Sequence, residues 1–372
     1  MPTPRVLLAP VTVTPTKPLT PSHLKGLLWT DVMFRATGPL ADVTYRSSHT
    51  AYHPTEQTLG FWEYLDRTVG DLDYAGCSET QIGEWYVDYR QAAERVPFTE
   101  HRPYLDALED EGWVHPASER ILRLWSAHYQ RLGLHDPGLL AHQPPGLSLA
   151  AALDRLGELG LLLDLRAEAG PVYLDLTRYG MPLRQLVAPD GRPNHLACAL
   201  RDLLPLAAGH DEVVLLHDRE LTQDYLLLQR ALRRAGPAVH RVAIGRVPIG
   251  GQVRSARHGD WREHSVAALL DRAADADESA LRLGARLYFI ALQGRGDHES
   301  FRSELLYRCL TKAARLLSAG HPDRAAGRGE LAGYLARHRG DHVHVDPYRL
   351  TASLLARHNG GPGRDLLEAV YT

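Results

Sequence analysis

DEVVLLH, residues 211–217, decides the fold. Val213, Val214, Leu215 and Leu216 stand in a row with no polar interruption, so the segment reads as a strand buried on both faces of a parallel sheet. Residues 223–235 follow with helical spacing and stop at Gly236-Pro237, and residues 239–244 read as the next strand. A strand, a helix and a strand in that order are joined by a crossover, the connection that parallel neighbours require.

Upstream, residues 5–13 read as another buried strand, interrupted by Pro10, that runs into the turn-rich stretch TPTKPLTPS. Thr20 has the chemistry of an N-cap and Pro21 that of a first helical position. Leu24, Leu27, Leu28, Val32 and Phe34 supply the apolar residues of the helix that follows. Residues 42–45 form a short strand, 56–66 and 119–132 are helical, and Pro144-Pro145-Gly146 precedes a helix at 147–156 and a strand at 172–176. The aromatic and acidic run 81–89 has two readings, the lining of a pocket or, favoured, an amphipathic helix face. Further helices are expected at 265–274, 278–291, 299–319, 348–357 and 364–371. The expected fold class is α/β, a doubly wound Rossmann-like parallel sheet built from residues 1–60 and 160–275. A largely helical insertion occupies 61–159 and a helical appendage 276–372.

Composition narrows the function. The chain has 372 residues, 44% of them hydrophobic, enough for a large core. Its net charge of −3 supplies no overall field toward nucleic acid or anionic membrane. Cys77, Cys198 and Cys309 lie far apart and form no C-x-x-C pair. Prolines interrupt the N-terminus where a signal peptide needs an apolar run, and no apolar stretch is long enough to span a membrane, so a cytoplasmic location is expected. No G-x-G-x-x-G follows a strand, which argues against a pyridine-nucleotide oxidoreductase. Of the 20 histidines, His49 with His53 and His338 with His342 stand four apart, but Pro54 and Gly340 spoil a helix carrying either pair. His342 and His344 near Asp346 make a poor set of ligands, and no metal is assigned.

Helix N-termini concentrate unpaired N–H groups and partial positive charge, so the loop PTKPLTPSHLK leading into one is a seat for phosphates. His23, one turn inside, is a candidate donor to phosphate oxygens, and Lys17 and Lys25 are candidate sources of charge.

Residues 15–25 resemble the ATP-binding signature of class I aminoacyl-tRNA synthetases, and of arginyl-tRNA synthetases in particular. There a Thr-x-Pro-Leu run leads into a HIGH-type tetrapeptide. The tetrapeptide here is Thr20-Pro21-Ser22-His23, which keeps the second histidine but has Thr20 for the first and Ser22 for the glycine. Asp31 falls where the family has an acid on that helix. Residues 254–260, RSARHGD, followed by HSVAALLD at 264–271, resemble the KMSKS-type loop and its helix, with Ser255, Arg257 and Gly259 on matching positions and Val253 in place of the first lysine. Between these blocks, APDGRPNHL at 188–196 is similar to the family's Asp-Gly-Thr-x-x-Tyr segment.

The resemblance implies an adenylate-forming ligase using ATP and Mg²⁺ on an amino acid. His23, Ser255 and Arg257 take the catalytic positions, and Thr16, Lys17, Thr20, Ser22, Lys25 and Arg254 contact the nucleotide. Ser47, Ser48, His49 and His195 fall in the amino-acid region. His195 stands where the family has Tyr, and Ala199 where it has the Asp that holds arginine's guanidinium. Arginine is therefore disfavoured as substrate unless Asp202 takes the role, because an unpaired buried charge costs several kcal/mol. His195 itself has two readings, a pocket acceptor or a core histidine bonded to backbone. Too few residues follow the last block for the family's helical anticodon-binding bundle, and the charge is near neutral. The expectation is thus transfer of the activated acyl group to a small-molecule amine or hydroxyl acceptor, as in ligases of specialised metabolism. The alternatives are a tRNA-aminoacylating paralogue or an inactive amino-acid or tRNA binding protein.

Overall fold

Strand β1 (Arg5–Ala9), helix α1 (Pro21–Thr37) and strand β2 (Asp42–Tyr45) open the chain. In the computed structural model, residues 2–93, 96–253, 261–319, 328–355 and 363–372 are described. Thr20 and Pro21 start α1 as their chemistry demands. Thr20 is extended, its hydroxyl accepts from the His23 backbone N–H, and its own N–H donates to the His23 ring. Such a reciprocal box satisfies two donors that the helix start would otherwise leave unpaired.

Helices α2 (Glu56–Thr68), α3 (Glu79–Gln91), α4 (Arg102–Glu111) and α5 (Pro116–Leu132) follow. Next come α6 (Leu149–Glu158), the short strands β3 (Leu162–Asp164), β4 (Val172–Leu174) and β5 (Arg184–Val187), and α7 (His195–Ala207). The second half of the sheet is β6 (Glu212–Asp218), α8 (Thr222–Arg233) and β7 (Ala238–Ile244). Beyond it are α9 (Val266–Arg272), α10 (Glu278–Arg286), α11 (Ser303–Ala319), α12 (Arg328–Ala336), α13 (Pro347–Ser353) and α14 (Arg364–Tyr371).

The main sheet has strand order β2-β1-β6-β7, and every pairing in it is parallel. Side chains alternate between its faces. Val6, Leu8, Val214 and Leu216 enter a core with helices α1 to α5 and the C-terminal helices, while Leu7, Ala9, Val213 and Leu215 enter a second core with α6, α7 and α8. With α1 and α8 on opposite faces, β1 is followed outward by β2 and β6 by β7 in opposite directions. The chain is doubly wound, and its topological switch point lies between β1 and β6.

Several elements differ from the sequence reading. The first strand ends at Ala9 because Pro10 offers no N–H; Val13 returns only to an isolated bridge with His49. The strand expected at 172–176 is β4, and it pairs antiparallel with β3 and β5 in a separate sheet over α7 rather than joining the parallel one. The helix expected over 278–291 changes after Arg286 to π-helical winding over Leu287–Leu292, where the Phe289 carbonyl accepts from the Trp29 indole.

Two polar ties fix the helical parts to the sheet. On α1, Asp31 accepts from the Arg286 guanidinium, from Arg35 at 3.1 Å and from the His135 N–H at 2.8 Å. At the start of β6, Glu212 accepts from the Val343 N–H at 2.9 Å and engages the His344 ring at 2.5 Å, which docks the C-terminal segment on the sheet. Among the described residues, no helix is long and apolar enough to cross a membrane.

Candidate active site

Parallel strands bring their carboxyl ends to one side of a sheet, and in a doubly wound fold the crevice at the switch point is where ligands lie. A cleft of about 590 Å³ opens there. Thr12, Val13 and Thr14 come to it from beyond β1, Asp218 from the end of β6, and Arg246 and Val247 from just past β7. The N-terminus of α1 enters from one side with Lys17, Thr20, Ser22 and His23, and the segment Ala188 to His195 lines it from the other. Its volume suits a nucleotide-sized ligand.

His23 is oriented by the cap it belongs to. Its Nδ1 accepts from the Thr20 N–H at 3.1 Å, so the ring's proton resides on Nε2. Burial first, then Lys17 and Arg246, pushes its pKa down to about 3. The ring is therefore a neutral donor at the helix N-terminus rather than a cation. The Ser22 hydroxyl accepts from the Val247 N–H at 3.0 Å, which fastens the start of α1 to the end of β7. The Lys17 ammonium sits 4.8 Å from the Tyr86 ring centroid. Gly83, on α3, leaves room for this contact layer. A Cβ there would lie 2.7 Å from the Pro18 ring and 2.8 Å from the Trp261 ring.

Of the residues singled out from sequence, Lys17, Thr20, Ser22, His23 and His195 meet in this cleft. Thr16 is buried, with its hydroxyl unpartnered among the described residues. Lys25 turns away from the cleft: its ammonium donates to the Gly296 carbonyl at 2.6 Å, and burial pushes its pKa down to about 8. Ser47, Ser48 and His49 lie deeper. Ser47 accepts from the His49 N–H at 3.3 Å, the Ser48 hydroxyl pairs with that of Tyr129 at 2.7 Å, and His49 Nδ1 accepts from the Ala51 N–H at 3.4 Å. Arg254, Ser255 and Arg257 lie outside the described residues. Ile249 and Trp261, which flank them in sequence, both line the cleft.

Sequence reasoning missed His53, Asp218, Asp224 and Arg246. Asp218 and Arg246 had a legible signal, since each stands at the end of an apolar strand. Burial raises the Asp218 pKa against the pull of Arg246, which approaches it at 3.4 Å and Glu220 at 2.9 Å. Asp224 is held by Arg184 at 2.9 Å, and Glu56, also at the cleft, by Arg192 at 3.0 Å.

Acid is expected to loosen the fold around this site. Burial, with Arg46 second, takes the His49 pKa down to about 4, and His53 and His195 are also lowered by burial. The unfolded chain takes up these protons near pH 6.5 and the folded chain does not. Stability present above that pH is therefore lost as pH falls from 6.5 through about 4 for His49 and about 3 for His23. Melting followed at pH 7.5 and 5.0 should show a Tm lower by at least ~5 °C in acid; equal midpoints would contradict the assignment.

The fold is a doubly wound α/β body with a cleft at the carboxyl end of its parallel sheet, next to the α1 N-terminus. No protein-family model matches the sequence, and no curated protein matches it significantly. Among solved structures, the arginyl-tRNA synthetase of Thermus thermophilus superposes with a TM-score of 0.63 at 18% identity, covering 100% of this chain and 79% of that one. The arginyl-tRNA synthetase of Plasmodium falciparum gives 0.57 at 12% identity, covering 89% of this chain and 61% of that one. At these identities the likeness establishes a shared fold.

Proposed function

We propose that the chain binds ATP in this cleft and activates an amino acid as its aminoacyl adenylate. The supporting observation is the convergence of the α1 N-terminus, the neutral His23 donor and the Lys17 and Arg246 cations on the carboxyl ends of β1, β6 and β7. A helix N-terminus and fixed donors suit a phosphate chain whose charge redistributes as the bond to the leaving group breaks.

In the proposed reaction the amino acid's carboxylate oxygen attacks the α-phosphorus, a new P–O bond forms, and pyrophosphate leaves with the electrons of the broken one. His23 Nε2–H donates to phosphate oxygens without itself losing a proton, and Lys17 and Arg246 offset the negative charge. Arg257 and Ser255 keep their sequence-based assignment to the phosphates. Among the described residues, no group of three His, Cys, Asp or Glu side chains stands ready to cage a metal. On this reading Mg²⁺ would enter with the ATP phosphates and would neutralise their charge.

The acceptor we propose is a small-molecule amine or hydroxyl. The net charge of −3 supports this over tRNA, since phosphate-backbone binding relies on clustered cations. Thr20 and Ser22, in place of the histidine and glycine of the motif, favour a second reading in which the chain binds an amino acid without chemistry. ATP–pyrophosphate exchange across the amino acids tests the proposal. Exchange with at least one of them is expected, and none with any would leave the binding reading. Labelled acyl transfer to tRNA, set against a panel of amines and hydroxyl compounds, decides the acceptor.

A further inference from the structure

Behind the main cleft lies a smaller cavity of about 20 Å³, which shares Thr12, His53 and His195 with it. That volume holds roughly one water-sized group. Arg46 and Asp202 form part of its wall. The guanidinium grips the carboxylate in a fork, with Nε at 3.0 and 3.2 Å from its two oxygens and Nη2 at 2.6 Å from one of them. Both side chains are largely buried, 18% and 16% exposed. Ala199 adds a methyl group where a longer side chain would fill the cavity.

Two ring nitrogens here are unanswered. His53 Nδ1 and His195 Nε2 are buried without a hydrogen-bond partner, and His53 is only 6% exposed. A buried polar atom left in this state costs about 1–3 kcal/mol, so both are suited to a group that enters from the main cleft. A cationic side chain does not suit them. Asp202 is already occupied by Arg46, and the carboxylates of the main cleft, Asp218, Asp224 and Glu56, are engaged by Arg246, Arg184 and Arg192. An incoming ammonium or guanidinium would meet Arg46 and find no uncommitted anion among them. A carboxylate is too large for a space of one water. A hydroxyl both donates and accepts, so it can answer two imidazole nitrogens when at least one of them carries its proton.

We propose that this rear cavity is the side-chain subsite of the acid and selects a short hydroxylated amino acid of the serine or threonine kind, with Arg46 holding Asp202 out of reach of a cationic substrate. The substrate class rests on the adenylation reading, but the cavity's preference can be tested without it. Thermal shift of the full chain with free L-serine, L-threonine, L-alanine and L-arginine reads binding alone. Pyrophosphate exchange with the same four reads activation.

Serine or threonine should give the largest Tm shift and an exchange kcat/KM at least ~100-fold above alanine, because a site built around a hydroxyl rejects the analogue that lacks it. Arginine should give neither. His53→Phe should collapse the hydroxyl-to-alanine ratio, and Arg46→Met, which uncovers Asp202, should let arginine shift the Tm. Should Arg46→Met fail to fold, the wild-type ranking and His53→Phe still decide. Stabilisation by serine or threonine without any exchange would end the adenylation reading and uphold the cavity assignment. Exchange led by arginine or alanine would overturn the cavity assignment and uphold adenylation. Neither stabilisation nor exchange with any of the four would overturn the cavity assignment as well.

Discussion

His23→Gln is expected to lower adenylate formation by about 10²–10³-fold, the usual effect of removing one preorganised donor from a charge-stabilising site, while leaving the fold nearly as stable. The two expectations separate because His23 has two functions on its two ring nitrogens. Nδ1 closes the capping box by accepting from the Thr20 N–H, and the ring lines the cleft, where the remaining N–H is Nε2. Glutamine at the third helical position is a standard partner in such a box, so its side-chain oxygen can replace Nδ1. Its amide cannot at the same time place a donor where Nε2–H was. His23→Ala loses both, and should add a stability loss of about 1 kcal/mol. Exchange rates set beside denaturation midpoints check the pair. Full activity in His23→Gln would show that the ring acts only as a cap.

How much of this was readable beforehand depended on how local the cause was. The α1 start was legible because Thr20 and Pro21 act on adjacent backbone, and β2 and α14 were bounded correctly from apolar pattern and flanking residues. The doubly wound order followed from the continuous apolar character of β6 and the helix after it. Depth and partnership were not legible. Ser47, Ser48 and His49 follow β2 closely enough to suggest a cleft position. The Ser48 hydroxyl pairs with that of Tyr129 on α5, whereas Ser47 lines the smaller cavity behind the main cleft. Lys25 looked like a phosphate cation from its place in the helix, yet helical rotation carries it to the Gly296 carbonyl. The capping function of His23 was not legible because the motif points to its contact with phosphate and says nothing of the Thr20 N–H that holds its other ring nitrogen. Arg46 and Asp202 meet across 156 residues, a pairing that no local pattern encodes.

Arg286→Met is expected to destabilise the chain by about 3–5 kcal/mol, because it leaves a buried carboxylate without its main counter-charge. Arg286 is 0% exposed and Asp31 1%. Besides Asp31, the guanidinium donates to the carbonyls of Leu132 at 3.0 Å, Arg282 at 3.0 Å and Gly133 at 2.9 Å. It thereby joins α1, the end of α5 and α10 at one point. Asp31 retains Arg35 and the His135 N–H in the variant, which places the loss nearer the lower figure. Methionine keeps most of the side chain's volume, so the effect reports charge and hydrogen bonding rather than a cavity. The double variant Asp31→Leu/Arg286→Met removes both charges and should be less destabilised than Arg286→Met alone, the non-additivity expected of a coupled pair. Urea unfolding of the two variants beside the parent chain measures this. A double variant that loses at least as much stability as the single would show that packing around the carbonyls, and not the stranded Asp31 charge, holds the junction together.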